Sequence, residues 1–463
     1  MIRPRTLVIP GVQHSRLEKH LFPGDGKEAA AILLCSRLET TGLKLVVREA
    51  LTVPHELCKR TPMSLSWPGE FLDKAVVASR VENLSIILLH SHPTGLYEFS
   101  PVDDSSDQIA VRSLILAGAE DRRESWHGSA IMAPGGAVKA RVYDRQLRSH
   151  AVDLVSIYGE NMQFNWSGDR VPRERPVAFG SGMAAELGNL SVAIVGVSGI
   201  GSIVAEQLLR MGVGELIVVD PDQVEPKNLN RILNSTKSDA DNSLPKVEVF
   251  RAAAAKIRPE TQVRAFSLDL GNPRAIAAVA EADIVFSCVD SLEGRHLCDR
   301  LATAMVQPLF DIGVAIPVRT PERGMVIANV CGRVDYVQPG GATLSDRRVY
   351  SPRLLEAEYL RRADPVAYDK RVGEGYMPGS GQQAPSVICV NMHAASLAVL
   401  EFVARAFPYR LDGNSGFAHV AFDLAANEST NFPETVAAVD HFDLLGASLR
   451  RPMLGLPALD QAS

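Results

Sequence analysis

Two clusters of residues in this sequence have the types and spacing to do chemistry. The first is His90-Ser-His92-Pro-Thr-Gly95, followed by Ser100-Pro-Val-Asp103. The histidines come directly off an apolar run, Ile87-Leu-Leu89. Side chains alternate along a strand, so residues two apart face the same side and both imidazoles approach one point. Asp103 follows at a helix start. Two nitrogens and one carboxylate oxygen around a point suit a catalytic zinc with its fourth position open to water. The second cluster lies in Leu190–Arg231. The apolar run Ser191–Val195 leads into a glycine turn, Gly196-Val-Ser198-Gly199-Ile-Gly201. Helical spacing follows (Ile203, Val204, Leu208, Leu209), then a second apolar run, Glu215–Val219, ending at Asp220. Strand, glycine loop, helix, strand and acid form a nucleotide fingerprint. The glycines let the backbone approach a phosphate, and the helix N-terminus offers free N–H groups to it. Past the second strand come Asp222, Asn228, Asn230 and Arg231. A dehydrogenase has no obvious need for an arginine there, whereas an enzyme handling a triphosphate does.

The elements that position these groups fall into two domains. In residues 1–155, Glu28–Cys35, Leu43–Val47 and Ser85–Leu89 read as strands, and Leu72–Val81 and Asp104–Leu116 as helices. Gly128–Met132 and Ala137–Tyr143 read as closing strands. Residues 156–178, polar and proline-broken, read as a linker. Residues 179–445 form the second domain. There Met183–Leu187, Glu248–Ile257 and Arg274–Ala282 read as helices and Gln262–Phe266 as a strand. Leu309–Ile312 and Val326–Val330 continue the sheet. Residues from about 337 to 388 read as a crossover, with a helix at Pro352–Arg362 and a loop at Gly373–Pro385. Ser386–Ala406 reads as a long apolar helix re-entering the core, Phe417–Leu424 as a late strand, and 446–463 as a frayed tail.

Composition sets outer bounds. A chain of 463 residues holds two or three domains. Its net charge of −6, with no long basic block, argues against a nucleic-acid surface. No run of 18 apolar residues is present, so no membrane span is expected. MIRPRTLVIPG lacks a signal-peptide core. The six cysteines (Cys35, Cys58, Cys288, Cys298, Cys331, Cys389) are scattered without a CxxC, which argues against a disulfide framework and a cysteine zinc knuckle. The expected setting is cytoplasmic, with most cysteines buried as small apolar residues.

The His-x-His, proline and Ser-x-x-Asp pattern resembles the JAMM (JAB1/MPN) metallopeptidases over roughly the first 150 residues. The resemblance implies that His90, His92 and Asp103 hold zinc and that Ser100 stabilises an oxyanion. It also implies a general-base glutamate well upstream. Glu28, before the AAAILLC run, fits best; Glu49 and Glu56 are weaker candidates. A degenerate, metal-free version of the site is the competing reading.

Over about 175–440 the chain resembles the ThiF/MoeB/ubiquitin-activating superfamily. The ordered motifs are Arg173 or Arg175 before Phe179-Gly180, the glycine loop, Asp220-Pro-Asp222, Asn228-Leu-Asn230-Arg231, Lys246, and Asp290 with Arg295 after it. The implied fold class is α/β: a JAB/MPN-like domain followed by a Rossmann-like adenylation domain. The implied reaction joins a carboxylate to the α-phosphate of ATP and expels pyrophosphate. Asp220 would bind the ribose; Asn228, Arg231 and Lys246 the phosphates; Asp290 Mg²⁺; and Arg173 or Arg175 the γ-phosphate, often of a partner subunit. Ser198 stands where the family usually has glycine.

Both resemblances imply one kind of partner, a ubiquitin-like β-grasp protein, with a ubiquitin-conjugating-type protein beside it. The family context is bacterial operons serving conjugation, sometimes in phage defence. Relatives dimerise through the adenylation domain, which implies a homodimer. The crossover contains no cysteine, so three fates of the acyl group stay open: release as adenylate, transfer to Cys331 or Cys389, or transfer to the hydroxyl of Thr343 or Ser345. Cys331 and Cys389 both flank apolar segments and read as core residues. The alternatives at the level of function are sulfur-carrier activation for cofactor or metabolite biosynthesis, and a binding module with an inactive JAMM site.

Overall fold

The computed structural model describes residues 5–117, 126–168, 175–319, 326–373, 386–439, 441 and 443–460. The chain divides into two compact units. The first comprises Met1–Arg175 with Ala304–Val306 and Phe442–Arg450; the second is the remainder.

The first unit runs β1 (Thr6–Pro10), α1 (Gly11–Leu21), β2 (Ala30–Glu39), β3 (Leu43–Thr52), β4 (Lys59–Arg60), β5 (Leu65–Ser66), α2 (Glu70–Glu82), β6 (Ser85–Ser91), α3 (Pro101–Ala117), β7 (His127–Met132), β8 (Val138–Tyr143), β9 (Ser149–Ala151), β10 (Leu154–Tyr158) and β11 (Met162–Trp166). Nine strands form one mixed sheet in the order β11-β10-β1-β3-β2-β6-β7-β8-β9, and β4 and β5 pair separately. The central strands are apolar on both faces because both faces are covered. Ala31, Leu33 and Cys35 of β2 pack with Leu17 and Leu21 of α1. The intervening Ile32 and Leu34 pack with Ala75 of α2 and Leu114 of α3.

Sequence periodicity finds β2, β3, α2, β6, α3, β7 and β8, and passes over β1, α1, β4, β5 and β9. It misses β10 and β11, which fall in the region expected to be a linker. β10 pairs parallel with β1 (Thr6 opposite Leu154) and antiparallel with β11 through a tight turn at Gly159–Asn161. Its partner lies almost the whole unit away in sequence, so no local pattern announces it. The tail is not frayed either. Ser36 Oγ donates to the Gly446 carbonyl at 2.5 Å and Ser448 Oγ to that of Arg37 at 3.1 Å. Ala447, Ser448 and Leu454 are buried.

The second unit contains α4 (Ser181–Leu187), β12 (Ser191–Val195), α5 (Gly199–Met211), β13 (Glu215–Val219), α6 (Lys237–Asp241), α7 (Lys246–Ile257), β14 (Gln262–Phe266), α8 (Pro273–Glu281), β15 (Ile284–Ser287), α9 (Leu292–Met305), β16 (Leu309–Ala315), β17 (Val318–Arg319), β18 (Val326–Ile327), β19 (Cys331–Val337), α10 (Pro352–Ala363), α11 (Pro365–Gly373), α12 (Ile388–Ala406), β20 (His419–Asp423) and β21 (Glu428–Phe432). The sheet order is β14-β13-β12-β15-β16-β19-β20-β21. The first five strands are parallel and the last three antiparallel. Strand order therefore reverses between β12 and β15, and open α/β sheets bind ligands past the carboxyl ends of the strands at such a reversal.

One expectation changes here. Val326–Val330 does not continue the sheet: β18 pairs only with β17, and the sheet resumes at β19. The Gly373–Pro385 loop lies, apart from its first residue, outside the described residues. α12 is apolar and long enough to cross a membrane, but most of it is buried. Its inward residues include Val390, Asn391, Ala394, Ala395 and Ala398.

Candidate functional sites

In the first unit, β6 carries His90 into the site and His92 follows one residue past its end. The Nε2 atoms of His90 and His92 are 3.0 Å apart. His90 Nε2 lies 3.1 Å from Asp103 Oδ1, and His92 Nε2 lies 3.5 Å from Asp103 Oδ2. These ligand-type atoms all fall within 4.8 Å of one another. A tetrahedral zinc with arms near 2.0 Å has edges of about 3.3 Å, so the residues present fit that ion. His92 Nδ1 sits 3.0 Å from the Leu96 carbonyl. That bond puts the proton on Nδ1 and leaves Nε2 free as a ligand.

Asp103 and Ser100 form a reciprocal turn at the start of α3. Ser100 N donates to Asp103 Oδ2 at 2.6 Å, and Asp103 N donates to Ser100 Oγ at 3.2 Å. The Ser100 hydroxyl accepts in this pair, so its own proton remains available to a ligand. Burial opposes ionisation of Asp103, but the adjacent His90 and His92 imidazoles and the Ser100 N–H overcome it and hold the carboxyl well below its usual range.

The register of β2 against β6 brings Glu28 to the same place. Ala30 lies opposite His90. The pairing continues one residue further, with Ala29 N donating to Ser91 Oγ at 2.9 Å and Ser91 N to Ala29 O at 3.0 Å. Glu28 is held from the other side by Thr61 O and Arg60 Nε on its backbone. Its side chain is buried. Burial pushes the carboxyl up, and both histidines pull it back. Glu49 lies on β3 opposite Leu34, further along β2, and Glu56 is exposed. Glu28 is therefore the glutamate that the fold brings to the triad.

In the second unit the glycine loop connects β12 to α5. Gly196 has φ +86, and a Cβ there would stand 2.7 Å from the Cys288 carbonyl. This close approach ties the loop to the residues just before Asp290 at the end of β15. A Cβ on Gly199 would stand 2.2 Å from Asn391 Nδ2 and 3.2 Å from Arg231 Cδ. Ser198 is half-buried and precedes the first turn of α5. A Cβ on Gly201 would stand 1.7 Å from the Gly196 carbonyl.

Asp220 is buried at the end of β13 and accepts from the N–H groups of Val197 and Asp222 at 2.7 and 2.9 Å. Lys246, the first residue of α7, is also buried; its Nζ is 2.7 Å from Asp222 Oδ2 and 3.6 Å from Asp220 Oδ1. Burial raises the Asp220 carboxyl above its ordinary value, against the pull of Lys246. Asn228 is buried, and its Oδ1 accepts from Glu225 N at 3.0 Å. The fold thus uses its side chain in a turn. Arg231 donates to Lys227 O and Asn230 Oδ1. Asp290 is exposed and makes no hydrogen bond among the described residues. Arg175 is exposed, while Arg173 lies outside the described residues.

Two groups escaped the sequence reading. Asn391 of α12 is 1% exposed beside the glycine loop, and its Oδ1 has no partner among the described residues. An asparagine within the apolar run of α12 was the available signal. Asp311 of β16 is fully buried and accepts from Ser287 Oγ at 2.7 Å, from Arg295, and from Arg333 at 2.8 Å. It braces the ends of β15 and β16, and only the strand pairing reveals it. Two corrections concern cysteines. Cys389 is exposed, on the outward side of the first turn of α12, and Cys331 is partly exposed, so neither is a core residue.

The sheet order, the glycine turn at the strand-order reversal and the buried acid define the second unit as a Rossmann-like nucleotide-binding domain. Residues 174–332 match the ThiF family, and residues 12–128 match the prokaryotic homologs of the JAB domain. The chain thus joins a JAB-type domain to a ThiF-type domain. Among curated proteins it is similar to ubiquitin-like modifier-activating enzyme 5 of Caenorhabditis briggsae, 31% identical over 161 residues, which is 32% of this chain and 34% of that enzyme. The Culex quinquefasciatus enzyme of that name is 33% identical over 162 residues, 32% of this chain and 37% of that one. The match thus spans about a third of these relatives. Among solved structures the chain is similar to E. coli MccB with ATP, at TM-score 0.41 and 19% identity, covering 57% of this chain and 68% of that one. Another is PaaA, at TM-score 0.38 and 18% identity, covering 54% and 75%.

Proposed function

We propose that the second unit adenylates the C-terminal carboxylate of a ubiquitin-like protein with ATP and Mg²⁺. We further propose that the first unit is a zinc-dependent peptidase that trims that protein or removes it from its targets. What supports the reading is the cluster past the carboxyl ends of β12, β13 and β15, where Val197 of the glycine loop donates to Asp220, Lys246 stands beside Asp220, and Gly196 approaches the Cys288 carbonyl two residues before Asp290. A carboxylate oxygen forms a bond to the α-phosphorus while the bond to the bridging oxygen breaks and pyrophosphate leaves. The α5 N–H groups, Lys246 and Arg231 offset charge as the phosphates separate. Asp220 takes the ribose hydroxyls and Asp290 the magnesium. Arg175 or Arg173 reaches the γ-phosphate, in a homodimer from the partner subunit. The protein acts in the cytoplasm of a bacterial conjugation pathway, alongside a ubiquitin-conjugating-type protein.

In the first unit His90, His92 and Asp103 hold zinc, which when bound polarises the scissile carbonyl and acidifies water. Glu28 accepts the proton of the attacking water and delivers it to the departing amine. The Ser100 hydroxyl donates to the oxygen that gains charge.

Among the three fates of the acyl group, exposure of Cys389 favours a thiol acceptor. Thr343 is 5% exposed, and its hydroxyl accepts from Asp346 N at 3.2 Å. The test is ATP–pyrophosphate exchange that depends on the ubiquitin-like protein. Exchange that survives Asp290→Ala contradicts the magnesium role.

A further inference from the structure

β8 grips the segment that joins the two metal-ligand groups. Its side chains at 139, 141 and 143 share one face by strand alternation. Lys139 Nζ lies 5.6 Å from the centre of the Tyr97 ring, and the Tyr97 hydroxyl donates to Val138 O at 2.9 Å. The Arg141 guanidinium carbon lies 3.9 Å from the centre of the Phe99 ring, within stacking range. Arg141 Nε donates to Asp107 Oδ2 at 2.8 Å, and another guanidinium nitrogen pairs with Asp104 at 2.5 Å. Tyr143 and Ser129 donate to the same Asp107 oxygen. The Arg141 side chain is only 12% exposed.

Arg141 therefore holds the residue just before Ser100 and the residue just after Asp103. Between those two points lies the Ser100–Asp103 turn. His90 and His92 belong to β6 and its end, which β2 and β7 flank on both sides. Asp103 has no such support, because it sits in the first turn of α3 beyond the loop of residues 92–100. A displacement of that turn by an ångström would spoil the ligand separations.

We propose that Arg141 is a positioning residue of the metal centre: it fixes the Ser100–Asp103 turn, and so the third ligand, by stacking on Phe99 and pairing with Asp104 and Asp107. This rests on the reading of His90, His92 and Asp103 as zinc ligands. Removing such supporting partners typically costs about 10–100-fold in metal affinity. The test titrates zinc into metal-stripped full-length protein against a chelating dye, and records the visible spectrum with cobalt. Wild-type protein binds one equivalent and His90→Ala none; a wild type that binds no metal overturns the metal reading itself. Arg141→Met weakens zinc binding by roughly 10–100-fold at a retained fold. Arg141→Lys keeps the charge without the planar fork and falls in between. Wild-type affinity in a folded Arg141→Met protein overturns the proposal. Should that variant not fold, Phe99→Ala decides, since it removes the stack and leaves the ion pairs: weakened zinc binding and an altered cobalt spectrum support the role, and unchanged affinity overturns it.

Discussion

Lys246→Met tests the electrostatics of the nucleotide crevice. The substitution keeps the aliphatic stem and removes the ammonium. Asp220 is 4% exposed and stands 3.6 Å from that ammonium. At an effective dielectric constant near 20, the attraction is about 4.6 kcal/mol. Asp220 keeps two backbone N–H bonds in the variant. Relief of the buried lysine offsets part of the loss, leaving a net destabilisation of about 3 kcal/mol near neutral pH. For a unit of this size that lowers the melting temperature by roughly 6–12 °C. The pH dependence carries the sign. The folded Asp220 carboxyl is already raised by burial, and without Lys246 it rises further. A raised carboxyl stabilises the fold below its unfolded pKa, and that contribution is lost as pH rises through the folded value. The variant should therefore recover toward wild type as pH falls from 7.5 to 5. The assay is thermal unfolding of both proteins over that range, repeated in an Asp220→Asn background, where the effect should shrink by more than half. Equal destabilisation in both backgrounds would refute the reasoning, because the lysine would then act through Asp222, 2.7 Å from its Nζ, and not through Asp220.

Glu28→Gln should retain zinc and lose peptide-bond cleavage, whereas His90→Ala should lose both; metal analysis beside a cleavage assay separates them, and unchanged cleavage in both variants sinks the assignment. Asp299 is buried, accepts from Leu344 N, Ser345 N and the Tyr350 hydroxyl, and is pushed up to about 6 by burial. Its stabilisation is complete below the unfolded pKa near 4 and lost as pH rises through 6, about 3 kcal/mol in all. Asp299→Asn should flatten the melting temperature against pH between 4 and 7; an unchanged slope means that other groups set it. Cys389→Ser should abolish a reductant-sensitive adduct seen by intact mass after mixing with ATP and the ubiquitin-like protein; an adduct that persists assigns the acceptor elsewhere.

Much of both sites was legible because their residues lie within single strand–loop–helix units. His90, His92, Ser100 and Asp103 span 14 residues, and local alternation predicts that the imidazoles converge. Gly196, Gly199, Gly201 and Asp220 span one βαβ unit. Phosphate-binding types near Asn228 were also visible, yet the fold spends the Asn228 amide on a turn, which type and spacing do not reveal. Cys389 was misjudged because an apolar neighbourhood in sequence does not say which side of a helix faces inward.

By itself the sequence determined the two-domain plan, the order of most elements and the identities of the metal-type and glycine-loop residues, since these follow from periods of two and 3.6 and from short spacings. The sequence favoured Glu28, and strand register is what sets it, rather than Glu49, beside the histidines. Tertiary structure alone decided that β10 and β11 complete the first sheet, that Asn391 faces the glycine loop, and that Arg141 braces Asp103. Each of these depends on groups far apart in the chain meeting across a sheet or helix face, and local pattern carries no record of such meetings.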